Sequence, residues 1–91
     1  MTLEWGDAAQ DDRDYIFGYI AADNLRAAVR VDWLIEESVG QLSHFPEIPR
    51  IGRVPDTREL VINRTPYVAV YRIKADVVIL LRLLHGAQRW P

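Results

Sequence analysis

The stretch that decides the fold is PYVAVYRIKADVVILLRLLH, residues 66–85. It holds two runs rich in β-branched, aromatic and aliphatic residues, Tyr67 to Ile73 and Val77 to Leu84, joined by the turn Lys74-Ala75-Asp76. So short a connection joins only antiparallel neighbours. Both faces of the second run are hydrophobic, which predicts that it lies inside the sheet or that a partner covers its outer side. Strict alternation predicts that one face of this run carries Val78, Leu80, Arg82 and Leu84.

The strand pattern continues upstream of this hairpin. Thr57 to Ile62 is another strand-like run, and the turn Asn63-Arg64-Thr65-Pro66 joins it to the next. Residues 45–56 contain three prolines and a glycine, so we predict a loop there. The runs therefore predict an antiparallel meander over residues 57–85, followed by a C-terminal tail of residues 86–91.

The N-terminal half has the pattern of two helices. Over residues 8–22 apolar positions recur at helical spacing, and they are Ala8, Tyr15, Ile16, Tyr19 and Ile20. Asp7 is a good N-cap for this helix, and Asp23-Asn24 offers a second N-cap. A second amphipathic helix is predicted from Leu25 to about Ser43. Because the turn between the helices is short, we expect them to lie antiparallel.

These elements predict one α+β domain over residues 1–91, since a chain of this length holds a single core. A short N-terminal strand, Thr2 to Trp5, and an antiparallel helical hairpin of about residues 8–43 pack on a three- to four-stranded, mainly antiparallel sheet. The loop, the meander and the tail complete the chain.

Charge is divided by position along the chain. Residues 1–45 hold nine acids and three bases, whereas residues 46–91 hold four acids and eight bases, seven of them arginines. Guanidinium groups are always charged and bind carboxylate or phosphate through paired donors. The arginine-rich half therefore indicates a site for polyanions or for an acidic protein partner, and a merely solvated face is the alternative. Arg58 beside Glu59 predicts an ordinary surface pair.

Several classes of site are not indicated by the sequence. There is no cysteine, and His44 and His85 are the only histidines, so we expect no metal site and no cofactor. The N-terminus lacks the pattern of a signal peptide, and the longest apolar run, Val77 to Leu81, is far too short to cross a membrane. The expectation is a cytoplasmic protein without a membrane partner.

Three segments carry a resemblance to a known family. The runs Gly52 to Leu60, Pro66 to Ile73 and Val77 to Pro91, with the corner Tyr19 to Asn24, resemble the ParE/RelE superfamily of toxins from type II toxin–antitoxin modules. The resemblance covers essentially the whole chain. It implies one of two activities: inhibition of DNA gyrase by protein contact in ParE-like members, or ribosome-dependent mRNA cleavage in RelE-like members.

The endonuclease activity would need a general acid or base and cations that stabilise the phosphorane. The candidate catalytic residues under this interpretation are Arg58, Arg72, Arg82 and His85. His85 has a simpler alternative, which is to end a strand and hydrogen-bond the backbone. The RelE pattern also has a lysine-rich centre and a tyrosine near the C-terminus, whereas this chain offers Lys74 in a turn and Trp90. The ParE-like branch is therefore favoured, and an inactive antitoxin-binding paralogue is the third interpretation.

In each case the resemblance implies a protein partner, a cognate antitoxin whose segment lays apolar and acidic side chains across the toxin to form a hetero-oligomer. DNA gyrase, or alternatively the ribosome with its mRNA, would be the further partner. The candidate residues for antitoxin or target binding are Arg53, Arg58, Arg64, Tyr67, Tyr71, Arg82, Arg89, Trp90 and Trp33. Trp33 lies off the apolar stripe of its helix, so it is either a partner contact or an aromatic at the edge of the core.

Overall fold

The computed structural model describes residues 1–86 and 88–91. In chain order these residues form β1 (Thr2–Trp5), α1 (Asp7–Ala21), α2 (Leu25–Gly40), a 3₁₀ turn (Gln41–Ser43), β2 (Arg50–Ile51), β3 (Arg58–Val61), β4 (Tyr67–Lys74) and β5 (Val77–His85). The strands make a sheet in the order β1-β5-β4-β3-β2. β1 runs parallel to β5, and the other neighbours are antiparallel.

The predicted α+β architecture is confirmed, with a helical hairpin on a mainly antiparallel sheet, but the sheet has five strands rather than three to four. The additional strand is β2, which lies inside the predicted loop of residues 45–56. Its two residues, Arg50 and Ile51, pair with Glu59 and Arg58 of β3. A strand of two residues is too short to show an alternating pattern, so only the partner strand reveals it.

The turn between β4 and β5 is tighter than predicted. Ala75 and Asp76 have φ of 50° and 62°, the left-handed pair that a two-residue hairpin turn of type I′ requires. Because the turn takes only these two residues, Lys74 joins β4 and pairs with Val77. β5 ends at His85, where the predicted meander ends, and His85 pairs with Tyr67.

A β-bulge interrupts the alternation of β5. Tyr71 lies opposite Leu80, but Val70 lies opposite Arg82, so Leu81 is the additional residue. Val78 and Leu80 face the helices, and after the bulge the residue that continues the core is Leu83. The prediction of one face shared by Val78, Leu80, Arg82 and Leu84 was therefore wrong, because alternation holds only within an unbroken ladder.

The helical hairpin is antiparallel, as predicted, and Arg13 forms two ion pairs between its helices. Nε of Arg13 in α1 donates to Oδ1 of Asp32 at 2.7 Å, and Nη1 donates to Oε2 of Glu36 at 2.8 Å, both in α2. The hydrogen bond to Asp32 is the main cause of the raised pKa of Arg13. The same guanidinium lies 4.9 Å from the ring centroid of Trp5, which is within cation–π distance. This contact joins the helical hairpin to β1.

The caps explain where the helices begin. Asn24 is the N-cap of α2, as predicted, and its Oδ1 accepts from the amide of Ala27 at 3.0 Å. α1 begins at Asp7 itself, with Gly6 in the N-cap position and no side-chain cap. A Cβ at Gly6 would lie 2.7 Å from the carbonyl oxygen of Leu80, so close approach to β5 requires glycine between β1 and α1.

The core lies between the helical hairpin and one face of the sheet. Its largest fully buried side chains include Ile35, Val39 and Leu42 from the helical half and Tyr71 and Leu80 from the sheet. No helix among residues 1–86 combines the length and apolarity needed to cross a membrane.

Candidate functional site

The second half of β5 is an exposed strand edge. β1 pairs with Val77–Leu80 and ends there, while β5 continues to His85. The remaining edge of β5 therefore has no neighbouring strand on this side in the part of the chain that the structure describes. Unpaired backbone donors on such an edge need other acceptors or a partner.

Asp12 of α1 satisfies this edge and binds Arg82. Its Oδ2 accepts from the amide of Leu83 at 2.9 Å and from Nε of Arg82 at 2.7 Å, while Oδ1 accepts from Nη2 at 3.1 Å. The hydrogen bonds to Asp12 are the main cause of the raised pKa of Arg82. One carboxylate thus fixes α1 to β5, and it occupies the guanidinium of Arg82 in doing so.

An aromatic hollow opens beside this contact. Its volume is about 330 Å³, and it is lined by Asp12, Tyr15, Ile16, Tyr19, Tyr67, Leu83, His85 and Gln88. Tyr15 and Tyr19 are 67% and 69% exposed and stack on each other, with centroids 6.2 Å apart and planes at 22°. Tyr67 meets His85 edge to face at 6.1 Å, and burial raises the pKa of Tyr67. The aromatic rings of Tyr15, Tyr19, Tyr67 and His85 thus share the wall with aliphatic side chains and with the carboxylate of Asp12.

The chemistry of the aromatic hollow suits the side chains of a protein partner. Concave aromatic pockets that exclude water on closure are where the energy of protein interfaces concentrates. Phenol hydroxyl groups add directional hydrogen bonds at the rim. Arg64 is exposed in the turn before Tyr67, and Arg89 is exposed next to Gln88, so bases flank residues of the hollow along the chain. An apolar or aromatic segment with some acidic residues would complement this surface.

One of the predicted binding arginines, Arg53, lies in a different arrangement, the Glu59 cluster, which is formed by Glu59, Arg50 and Arg53. Glu59 is 2% exposed, its Oε1 accepts from Nη2 of Arg50, and its Oε2 accepts from the amide and Nε of Arg53, each at 3.0 Å. Burial alone would raise the pKa of Glu59, but the hydrogen bonds from Arg53 and Arg50 outweigh it and lower the pKa to about 2. Nη1 of Arg53 also contacts the carbonyl of Gln88 at 3.4 Å.

The expected surface pair of Arg58 with Glu59 was therefore wrong. The two residues are neighbours on β3, so their side chains point to opposite faces of the sheet. Nη1 of Arg58 donates instead to the carbonyl oxygens of Pro49 at 2.9 Å and Glu47 at 3.0 Å. Arg58 thus holds the loop before β2 against the sheet.

The candidate catalytic residues occupy separate places. Arg58 lies opposite Tyr71 of β4, whereas His85 lies opposite Tyr67, which is roughly 13 Å further along that strand at the usual rise per residue. Arg82 is bound to Asp12, and Arg72 is exposed on the face of β4 opposite to Tyr71. The structure brings His85 to the aromatic hollow and does not gather the three arginines around it.

The candidate binding residues are also dispersed. Tyr67 lines the aromatic hollow, but Tyr71 is fully buried and donates from its hydroxyl to the carbonyl of Pro46, with a pKa that burial raises to about 12. Arg53, Arg58 and Arg82 make the internal contacts described above. The others lie outside the core, with Arg64, Arg89 and Trp33 exposed and Trp90 half-buried.

Of the eight residues that line the aromatic hollow, the sequence predicted only Tyr67 and His85 as site residues. The six that it missed are Asp12, Tyr15, Ile16, Tyr19, Leu83 and Gln88. It assigned both tyrosines to the apolar stripe of α1, but within that stripe only Ile16 is buried, and Ala9 rather than Ala8 is its buried alanine. The available signal was the side chain itself. Tyrosine carries a hydroxyl group, so it often marks the edge of an apolar stripe rather than its centre.

Comparison with known proteins places these features in context. The family model of the ParE toxin of type II toxin–antitoxin systems (parDE) matches residues 3–90. A protein named "Putative toxin Y4kP" from Sinorhizobium fredii (strain NBRC 101917 / NGR234) is 40% identical over 89 residues, which cover 98% of this chain and 92% of that protein. A solved structure titled "Chromosomal ParDE TA system from P. aeruginosa" superimposes with a TM-score of 0.84 at 28% identity, covering 93% of this chain and 95% of that one.

Proposed function

Because the chain belongs to the ParE toxin family of type II toxin–antitoxin systems, we propose that it arrests growth by inhibiting DNA gyrase through protein contact, and that a cognate antitoxin neutralises it by binding the aromatic hollow. The gyrase target follows from the family, whose ParE-like branch the sequence resembles. The site of neutralisation rests on the geometry of the hollow. The cytoplasm is the compartment that fits both proposed partners.

The observation that supports this proposal most is the state of the aromatic hollow. Tyr15 and Tyr19 are about two-thirds exposed although they are large aromatic side chains, and they lie beside a strand edge whose Leu83 amide donates to the side chain of Asp12 rather than to a neighbouring strand. Aromatic residues left open next to such an edge are typical of a surface that a partner covers. An antitoxin segment with apolar and acidic side chains would bury them.

The dispersed positions of Arg58, Arg72, Arg82 and His85 weigh against the RelE-like alternative. Phosphoryl chemistry needs its acid, its base and its cations within reach of one phosphate. Here Arg82 is bound to Asp12, and Arg58 lies well away from His85 along the sheet. Their catalytic role remains a prediction, which the experiment below tests beside the gyrase proposal.

The target is tested with the purified full chain. We expect it to inhibit gyrase supercoiling or to stabilise cleaved DNA, while translation of a reporter mRNA on ribosomes stays intact. Cleavage of that mRNA with gyrase unaffected would overturn the proposal and identify an endoribonuclease. His85→Ala is then the matched test of chemistry, because an endoribonuclease that uses His85 would lose its cleavage. Absence of both activities and of growth arrest would indicate an inactive antitoxin-binding paralogue.

The antitoxin site is tested by coexpression with the small protein encoded next to the toxin. The chain should copurify with it, and the double change Tyr15→Ser and Tyr19→Ser should prevent copurification and restore growth arrest despite the antitoxin. Ile48→Ser is the matched control, since Ile48 is even more exposed, at 77%, but lies outside the aromatic hollow. Copurification that survives the tyrosine changes would contradict the assignment of the site without touching the gyrase assay.

A further inference from the structure

The outer face of α2 carries an apolar stripe that the domain does not cover. Leu25, Val29 and Trp33 follow one another at intervals of one helical turn and are 62%, 55% and 56% exposed. An open groove of about 630 Å³ runs beside the stripe and is lined by Asn24, Arg26, Ala27, Val29, Arg30 and Trp33. None of these residues lines the aromatic hollow beside α1, so this is a separate surface.

Charges on this face are arranged by sign along the helix. With about 100° per residue and Leu25 at zero, Val29 and Trp33 lie near 40° and 80°. Arg26, Glu37 and Arg30 follow near 100°, 120° and 140°, on a single flank of the stripe, while Glu36 lies near 20° and is paired with Arg13 of α1. The two bases occupy the N-terminal half of that flank and the acid occupies the C-terminal half. All three are exposed and make no ion pair within the described part of the chain.

We propose that this face binds a second copy of the chain, with α2 packed against α2 in antiparallel orientation. A twofold axis in the plane of such an interface brings the same flank of each helix together. Arg26 then faces Glu37 of the partner subunit, and Arg30 lies over Trp33 of the partner subunit, because both residue pairs share a midpoint between positions 31 and 32. The contact closes with two ion pairs, two cation–π contacts and an apolar centre.

The distribution of charge selects this occupant over others. A uniformly acidic helix would suit Arg26 and Arg30 but would be repelled by Glu37, and a uniformly basic helix would have the opposite conflict. An antiparallel copy satisfies both signs. Because each copy contributes only three exposed apolar side chains, the interface belongs to the small class below about 1,200 Å², and self-association should be weak and reversible. The inference does not depend on the identity of the cellular target.

A charge-exchange experiment tests this pairing by sedimentation equilibrium of the full chain at low salt, up to submillimolar concentration. Arg26→Glu and Glu37→Arg should each weaken self-association by about fivefold or more, because each places like charges opposite one another. An equimolar mixture of the two variants should associate as well as the wild type, since every pair across the interface is then opposite in sign. The double variant should also recover.

Neither single change should unfold the domain. Glutamate at position 26 lies in the first turn of α2 and arginine at position 37 lies in its last turn, and both positions suit the helix dipole. Trp33→Ala should weaken association by about tenfold or more, whereas Ile48→Ala, at a more exposed position off the helix, should leave it unchanged. A chain that stays monomeric, or single variants that associate like the wild type, would overturn the proposal; failure of the mixture to recover would overturn the antiparallel pairing.

Discussion

The Glu59 cluster and the aromatic hollow both involve residues of the sheet, but they differ in how far their side chains are paired within the domain. In the Glu59 cluster, a carboxylate that is 2% exposed is saturated by Arg50 and Arg53. In the aromatic hollow, Tyr15 and Tyr19 remain about two-thirds exposed and contact mainly each other. Four of the eight bases in the arginine-rich half, Arg50, Arg53, Arg58 and Arg82, contact groups of the domain itself, while exposed tyrosines line the aromatic hollow. The two regions should therefore respond differently to substitution.

The largest effect on stability is expected at the Glu59 cluster. Glu59→Ala removes the acceptor of two guanidinium groups and of the Arg53 amide. Because the side chains of Arg50 and Arg53 are 59% and 44% exposed and water can solvate them, the free energy of unfolding should fall by about 1–3 kcal/mol. Urea denaturation followed by circular dichroism measures this. Glu37→Ala, an exposed glutamate, is the control and should change it by less than about 0.5 kcal/mol. A loss as small at Glu59 would show that the cluster does not stabilise the fold.

Acid should remove the same contribution without a mutation. The pKa of Glu59 is about 2 in the folded chain, below the value of about 4.3 expected in the unfolded chain. Because the pKa of Glu59 is lower in the folded chain, its ionised carboxylate stabilises the fold at pH values above the unfolded-state pKa. This stabilisation, up to about 3 kcal/mol, is lost as pH falls from about 4.3 towards 2. The difference in stability between wild type and Glu59→Gln should shrink across this window. A difference that stays constant from pH 6 to about pH 2 would contradict the ionic account.

Asp12, where the aromatic hollow meets β5, should give an intermediate effect. Asp12→Ala removes the acceptor of the Leu83 amide and the partner of Arg82, which should cost about 1–2 kcal/mol in urea denaturation. Asp12→Asn keeps one oxygen acceptor and should cost less. The cost of the alanine change should decrease in about 1 M salt, because the ion pair is only partly shielded from solvent. If both variants are as stable as the wild type, the strand edge does not need this carboxylate.

The smallest effect on stability is expected at the exposed tyrosines. Tyr15→Ser and Tyr19→Ser should each change the free energy of unfolding by less than about 0.5 kcal/mol, because both side chains face solvent and serine has a similar helix propensity. Thermal denaturation is a sufficient measurement. A loss of about 2 kcal/mol would show that the tyrosines support the fold and are not held open for a partner. If these changes abolish antitoxin binding and leave the free energy of unfolding nearly unchanged, the aromatic hollow serves binding, whereas the Glu59 cluster serves stability.

Much of the fold could be predicted because its signals are local. The alternation in β4 and β5, the Asn24 cap and the short connections together indicated a helical hairpin on an antiparallel sheet. The bulge at Leu81 and the strand Arg50–Ile51 could not be predicted, because each exists only through pairing with another strand. The candidate site was harder still. Tyr67 and His85 were found from their strands, whereas Asp12 and Gln88 join them only through the packing of α1 and the tail.

The sequence by itself determined the two helices, the meander of β3, β4 and β5, and the excess of arginines in the second half of the chain, since propensity, periodicity and charge are read residue by residue. Only the tertiary structure decided what those arginines do. Glu59 forms ion pairs with Arg50 and Arg53, and Asp12 forms one with Arg82. Arg58 donates hydrogen bonds to carbonyl groups of the loop. Of these partners, Asp12 and Arg82 lie 70 residues apart along the chain. Whether a charged side chain is bound internally or open to a partner depends on distances in space, which no local pattern contains.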